Sequence, residues 1–147
     1  LFEISFFSQK KLHLGKSKPE PKAREVHCLL RAGACVERCG LLGTPLCSAA
    51  FAGHTEVMRV LLDSRANIEG RTAHGATPLC IATGTLRPKH AMKVAAVLLR
   101  AGAIVDAPNK VGRTALWEAC RRGHVRVVDL LLRAGARTSM RDRRGKT

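Results

Sequence analysis

Aromatic side chains are scarce in this 147-residue chain: they make up 3% of it, with a single tryptophan. A core built here must rest on Leu, Val, Ala and Cys. Such small side chains suit helices stacked closely together, not a large aromatic-lined pocket. Acids are also few, 11 against 26 Lys and Arg, for a formal charge of +15. They lie scattered, so paired-carboxylate catalysis has little support. No apolar run reaches the roughly 18 residues that suggest a membrane span. The stretch Leu1-Phe2-Glu3-Ile4-Ser5-Phe6-Phe7 is short, carries an acid and lacks a basic lead, so it makes a poor signal peptide. The glycines are spaced along the chain, not clustered as in a phosphate-binding loop. Ser48 and Cys47 have neighbours in sequence, but nothing marks either as an activated nucleophile. No catalytic, cofactor-binding or metal-ligating residue is therefore expected.

Six cysteines are present: Cys28, Cys35, Cys39, Cys47, Cys80 and Cys120. The Cys35-x3-Cys39 pair lacks a partner pair at zinc spacing, with His27 and Cys28 the only candidates. Cys47, Cys80 and Cys120, in apolar helical contexts, read as small core residues. Free, buried thiols fit a reducing compartment, so an intracellular location, cytoplasmic or nuclear, is expected.

What the chain does have is a repeat. Gly43-Thr44-Pro45-Leu46, Gly75-Ala76-Thr77-Pro78-Leu79 and Gly112-Arg113-Thr114-Ala115-Leu116 each open a block. The blocks close on Leu61-Leu62 and Ala66, Leu98-Leu99 and Ala103, and Leu131-Leu132 and Ala136. The threonines are 33 and then 37 residues apart (44 to 77, 77 to 114), a period typical of stacked helical units. Residues 26–34 read as the end of a further unit: Leu29-Leu30-Arg31-Ala32-Gly33-Ala34 nearly matches Leu98–Ala103 and Leu131–Ala136.

The local chemistry fits two short helices per block. Thr44 can cap a helix, and Pro45 then takes the first helical position, where its fixed φ helps. Gly53 can stop that helix in a left-handed turn. A second helix is predicted from about His54 to Asp63, with Val57, Met58 or Val60, Leu61 and Leu62 inward. Helices of about nine residues are too short to persist alone in water. Each buried Leu or Val contributes roughly 1.5–3 kcal/mol, and most of that burial must come from adjacent blocks.

The pattern G-x-T-P-L-x-x-A-x-x-G-H-x-x-V-x-x-L-L-x-x-G-A, carried by Gly43–His54 and its counterparts, resembles the ankyrin repeat. The resemblance covers about residues 26–147. It implies an all-α solenoid of stacked antiparallel helix pairs joined by β-hairpin-like loops, with a concave side that binds partner proteins. It also implies a partial repeat at 26–42, full repeats at about 43–74, 75–111 and 112–144, and a truncated repeat from 145. Residues 1–25 fall outside it and are expected to be flexible. The start at Leu and the end at Gly145-Lys146-Thr147 suggest a fragment of a longer protein. The family's usual histidine after Thr-Pro-Leu is replaced by Cys47, Cys80 and Trp117, so the hydrogen bonds it makes are expected to be missing. Arg65 stands where a stop glycine belongs, at a cost of about 1 kcal/mol if its backbone is left-handed. Block two carries four extra residues, placed here in a loop at 84–90 between its helices. Pro88 starts or precedes the second helix, with Met92, Ala95, Ala96 and Leu99 inward.

On that resemblance the partner-binding residues are Phe51, Arg71, His74, Asn109, Lys110, Arg113, Arg121, Arg122, Arg143 and Arg144. Ala52 and Thr83 join the exposed first-helix positions. Trp117 either packs between blocks or faces the groove. His54 and His124 belong to the repeat's Gly-His step and read as structural. Residues 110–147 hold eleven Lys and Arg against three acids, which suits a protein partner with an acidic surface or peptide. A monomeric module within a longer chain is expected, with alternative roles as a regulatory or targeting domain of a larger enzyme or as a ubiquitin-ligase substrate receptor. Binding of nucleic acid or anionic lipid is the rival reading; so few aromatics argue against single-strand recognition.

Overall fold

The computed structural model describes residues 23–37, 39–40, 42–85 and 87–139. Within them are seven helices: α1 (Ala23–Arg31), α2 (Pro45–Ala52), α3 (Thr55–Asp63), α4 (Pro78–Thr85), α5 (Pro88–Arg100), α6 (Ala115–Arg121) and α7 (Val125–Arg133). No strand occurs among the described residues; a lone antiparallel bridge joins Gly40 and Gly43. The helices form two rows. In the first, α2, α4 and α6 lie side by side; in the second, α1, α3, α5 and α7 do.

The first helices start as their sequences dictate. Thr44 is extended (φ −67°, ψ 161°), and its hydroxyl accepts from the Cys47 amide at 3.3 Å. Thr77 and Thr114 do the same for Cys80 and Trp117, also at 3.3 Å. Pro45 and Pro78 open their helices. Gly53 ends α2 at φ +77°. From Pro45 to Ala50 and from Pro78 to Gly84 every residue is buried. Helices apolar on all sides belong inside a stack: α4 lies between α2 and α6, and α2 packs against α3 and α4. The second helices are amphipathic instead, burying Val57, Met58 and Leu61 in α3, and Val127 and Leu131 in α7. Leu46, Met58, Leu61, Leu79, Leu98 and Leu131 are the largest fully buried side chains.

Block two departs from expectation. Only residues 86 and 87 separate α4 from α5, as Gly53 and His54 separate α2 from α3. The four extra residues lie instead in α5, which has 13 residues where α3 and α7 have 9. Four residues are close to one helical turn of 3.6, so they lengthen the helix while nearly preserving the facing of its later residues. Pro88 starts the helix. Its buried stripe is Ala91, Val94, Ala95 and Leu98; Met92, Ala96 and Leu99 are only partly buried. Of the expected inward set only Ala95 is fully inside, because the helix is rotated by about one residue, 100°.

The missing histidine ties are replaced. Cys47 Sγ donates to the Gly70 carbonyl at 3.2 Å, and Cys80 Sγ to the Ala107 carbonyl at 3.5 Å. Each thiol thereby joins a first helix to the loop leading into the next block. Burial pushes both thiols above their ordinary value of 9.0, against the opposing hydrogen bonds from Thr44 and Thr77. Cys120, expected inside, is exposed, as are Cys28, Cys35 and Cys39.

A second set of ties is not apparent from the sequence. Glu37 Oε1 accepts from the Asn67 amide at 2.6 Å, Glu69 Oε1 from Ile104 at 2.8 Å, and Asp106 Oδ1 from Arg137 at 3.0 Å. Each acid stands three residues after a closing alanine, at 34, 66 and 103. Three of the acids that looked scattered thus form a periodic ladder, each holding the backbone of the following block.

Candidate interaction surface

The loops between blocks turn tightly. Thr72 N donates to the Ala76 carbonyl at 3.1 Å, and Asn109 N to the Arg113 carbonyl at 2.9 Å. Asn109 Oδ1 then accepts from the amides of Val111 and Arg113, both at 3.0 Å. Successive tips are pinned together. Lys110 N donates to the His74 carbonyl at 3.1 Å. Arg71 Nη1 reaches the carbonyls of Gly75 at 2.9 Å and Pro108 at 2.7 Å. Gly75 has φ +74°, and a Cβ there would lie 3.0 Å from the Lys110 amide, so only glycine allows this approach.

These contacts sort the expected binding residues. Asn109 and Arg71 help to fold and join the tips. The side chains of His74 and Lys110 are exposed beside them. On the first helices Phe51 is 40% exposed, and Arg121 and Arg122 face solvent. Ala52 is half-buried. Thr83 is fully buried, with its hydroxyl donating to the carbonyls of Leu79 and Cys80 at 3.2 and 3.1 Å. In a helix buried on all sides a threonine satisfies itself on its own backbone, so Thr83 offers nothing to a partner. Arg143 and Arg144 lie outside the described residues.

The structure gathers two of the expected arginines around the tryptophan. Arg113 Cζ stands 4.0 Å from the centre of the Trp117 ring, and Arg121 Cζ stands 5.7 Å from it. Both also meet Glu118. Arg121 Nη2 lies 2.9 Å from Glu118 Oε2, and Arg113 Nη1 lies 3.9 Å from Oε1. Trp117 is half-buried. Guanidinium over indole is a favourable pairing. Glu118 was missed in the sequence; its spacing of three to Arg121 on one helix was the available signal.

Phe51, Gly84 and Arg121 each lie seven residues after a capping threonine, so they form one line across α2, α4 and α6. A Cβ on Gly84 would come 3.3 Å from Glu118 Oε2, which ties that line to the arginine cluster. His54 and His124 serve the helix junctions: their amides donate to the Ala49 and Ala119 carbonyls, both at 3.0 Å. Among the described residues no group of three His, Cys, Asp or Glu could hold a metal ion, and no helix is long and apolar enough to cross a membrane.

Comparison with known proteins places these features in context. The ankyrin repeat family matches residues 43–73 and 111–143. The chain is 40% identical over 107 residues to human Ankyrin repeat and KH domain-containing protein 1, covering 71% of this chain and 4% of that protein. It is 40% identical over 86 residues to mouse Ankyrin repeat domain-containing protein 63, covering 57% of this chain and 22% of the relative. It is 34% identical over 111 residues to the Arabidopsis thaliana E3 ubiquitin-protein ligase XBAT33, covering 74% of this chain and 21% of the ligase. The chain thus spans a small part of each of these proteins.

Proposed function

The chain is an ankyrin-repeat protein, and on that premise we propose that residues 26–147 form a non-catalytic module that binds a partner protein across its first helices and turn tips. Repeats of this family are in general protein-interaction modules. The observation that carries the proposal is the line from Phe51 to Arg121. Helices α2 and α4 are buried almost throughout, yet the line that runs from α2 to α6 leaves an aromatic side chain and an arginine exposed. Aromatics and arginines contribute disproportionately to binding energy. The excess of positive charge selects a partner with an acidic surface or peptide, whose affinity falls as salt rises.

The test is affinity capture with the whole chain, followed by the triple variant Phe51→Ala, Arg121→Ala, Arg122→Ala. The proposal expects the captured proteins to be lost or weakened. A variant of unchanged fold that retains every one of them equally well would refute the groove. The similarity to a named E3 ubiquitin-protein ligase supports a second reading within the first: the same surface selects the target of a larger assembly.

A further inference from the structure

Glu118 is an acid that this basic face keeps for itself. Its side chain is 12% exposed. Glu118 Oε2 accepts from Arg121 Nε at 3.1 Å and from Arg121 Nη2 at 2.9 Å. That Nε–Nη2 edge is the one with which an arginine grips a carboxylate by two parallel donors. Here the grip is taken by a residue of the same helix, although the Arg121 side chain remains 46% exposed. Arg113, 32% exposed, approaches the other carboxylate oxygen. Both guanidinium centres lie close to Trp117, Arg113 at 4.0 Å and Arg121 at 5.7 Å from the ring centre, so the ring helps to hold them while one acid is exchanged for another.

The rest of the line has a matching profile. Phe51 supplies an apolar platform at one end and the arginines a cationic one at the other. Between them Gly84 is buried beneath the Glu118 side chain, whose Oε2 would lie 3.3 Å from a Cβ there, so displacing Glu118 uncovers α4 where no side chain obstructs a peptide backbone. Packed helices stand about 8–10 Å apart, so the two steps from α2 to α6 span about 16–20 Å. An extended strand rising about 3.3 Å per residue crosses that in five or six residues.

The geometry points to an extended acidic peptide as the occupant. Its Asp or Glu is held by Arg121 and Arg113 beside Trp117. An apolar side chain five or six positions away rests on Phe51, and Glu118 is the internal competitor that the incoming carboxylate displaces. This assignment rests on the groove reading above. The exchange puts one carboxylate in place of another between the same cations. A neutral or basic segment cannot make the exchange, and Glu118 keeps it out. The device thus selects by what it refuses as well as by what it holds.

The test selects a random-peptide display library on the whole chain and titrates the recovered peptides by fluorescence of Trp117, the sole tryptophan. Recovered peptides are expected to carry an acid five or six positions from an apolar residue. Arg121→Ala should weaken them about fivefold, and Glu118→Gln should tighten them by about the same factor, the scale of one partly exposed ion pair. Circular dichroism checks that both variants fold, and Glu118→Asp, which keeps the charge on a shorter arm, should fall between Glu118→Gln and the parent. Peptides that require Phe51 but carry no acid, or that bind Glu118→Gln no better than the parent, overturn the competitor and leave the groove standing. If no recovered peptide weakens with either Phe51→Ala or Arg121→Ala, both readings fall.

Discussion

Replacing Arg65 by glycine is expected to stabilise the protein. Arg65 closes α3 with φ +63°, the sole positive value outside glycine among the described residues. The same place in the other blocks holds Gly33, Gly102 and Gly135, with φ of +87°, +89° and +88°. A left-handed backbone crowds a Cβ against the following carbonyl at a cost of about 1–2 kcal/mol. Glycine removes that crowding but gives the unfolded chain more freedom, returning about 0.5–1 kcal/mol. The net expectation is a gain of about 0.5–1 kcal/mol. The Arg65 side chain is exposed, so little packing is lost in exchange. With a urea dependence of roughly 2 kcal/mol per molar, the unfolding midpoint should rise by about 0.25–0.5 M. Gly102→Ala is the mirror experiment. A Cβ there meets no atom within 4 Å, so the change adds only backbone strain and should lower the midpoint by a similar amount. If Arg65→Gly leaves the midpoint unmoved or lower while Gly102→Ala falls, the side chain of Arg65 contributes more than its exposure implies. If neither moves it, left-handed strain is not what governs these turns, and the reasoning is refuted.

Three further outcomes are expected from the ties between blocks. Glu69→Ala should cost about 1–1.5 kcal/mol, the worth of a partly exposed charge-assisted hydrogen bond, and should speed hydrogen exchange at the Ile104 amide; unchanged protection there would remove the acid ladder from the account. In the native state iodoacetamide should label Cys28, Cys35, Cys39 and Cys120 and spare Cys47 and Cys80 until the chain unfolds; prompt labelling of all six would contradict the thiol bridges to Gly70 and Ala107. Because burial raises the Cys47 and Cys80 thiols above 9.0, the folded state keeps protons that the unfolded state loses. Their contribution is therefore complete below the ordinary thiol pKa and declines as pH rises through the folded one. The urea midpoint should drop from about pH 8 to about pH 10, and Cys80→Ala should flatten that drop; an equal slope in the variant would assign the effect to other groups.

The fold was legible because each block repeats signals that act locally. Thr44, Thr77 and Thr114 cap, Pro45 and Pro78 start, and Gly53 stops, and no distant residue need be known to infer it. The apolar stripes of α3 and α7 were legible for the same reason except at the second leucine of each pair: Leu62, expected inward, is only half-buried, and Leu132, likewise expected inward, is 43% exposed. The stripe of α5 was misread by one position, being phased on Leu99, whereas in each of the pairs Leu61-Leu62, Leu98-Leu99 and Leu131-Leu132 it is the first leucine that is fully buried; the place of the four extra residues was hidden for another reason. A loop and an extra helical turn fit the same spacing, and the difference is decided by packing against α3 and α7, which local sequence does not encode. The cysteine bridges were hidden for a related reason. A thiol at the place of a histidine looks like a lost donor until the loop carbonyl is seen within its reach.

The exposure of the residues proposed to bind was legible in outline and not in detail, and the reason is physical. Register placed Phe51, Arg121 and Arg122 correctly on the outside, but it also put Thr83 outside and Cys120 inside, and the structure reverses both. What an exposed cation does depends on which groups lie within about 4 Å of it, and these come from other parts of the chain. Arg71 looked like a free cation and holds two carbonyls, while Asn109 looked like a contact residue and builds its own turn. Glu118 drew no notice in the sequence and meets Arg121 and Arg113, two of the residues expected to bind. In a chain with so few acids, those that remain are where the excess positive charge is locally balanced. Three of them, Glu37, Glu69 and Asp106, are committed to holding the stack together. Glu118 is different, because the exchange proposed for it would leave the helices and their ties in place. That separation lets a binding site be altered without unmaking the fold that carries it.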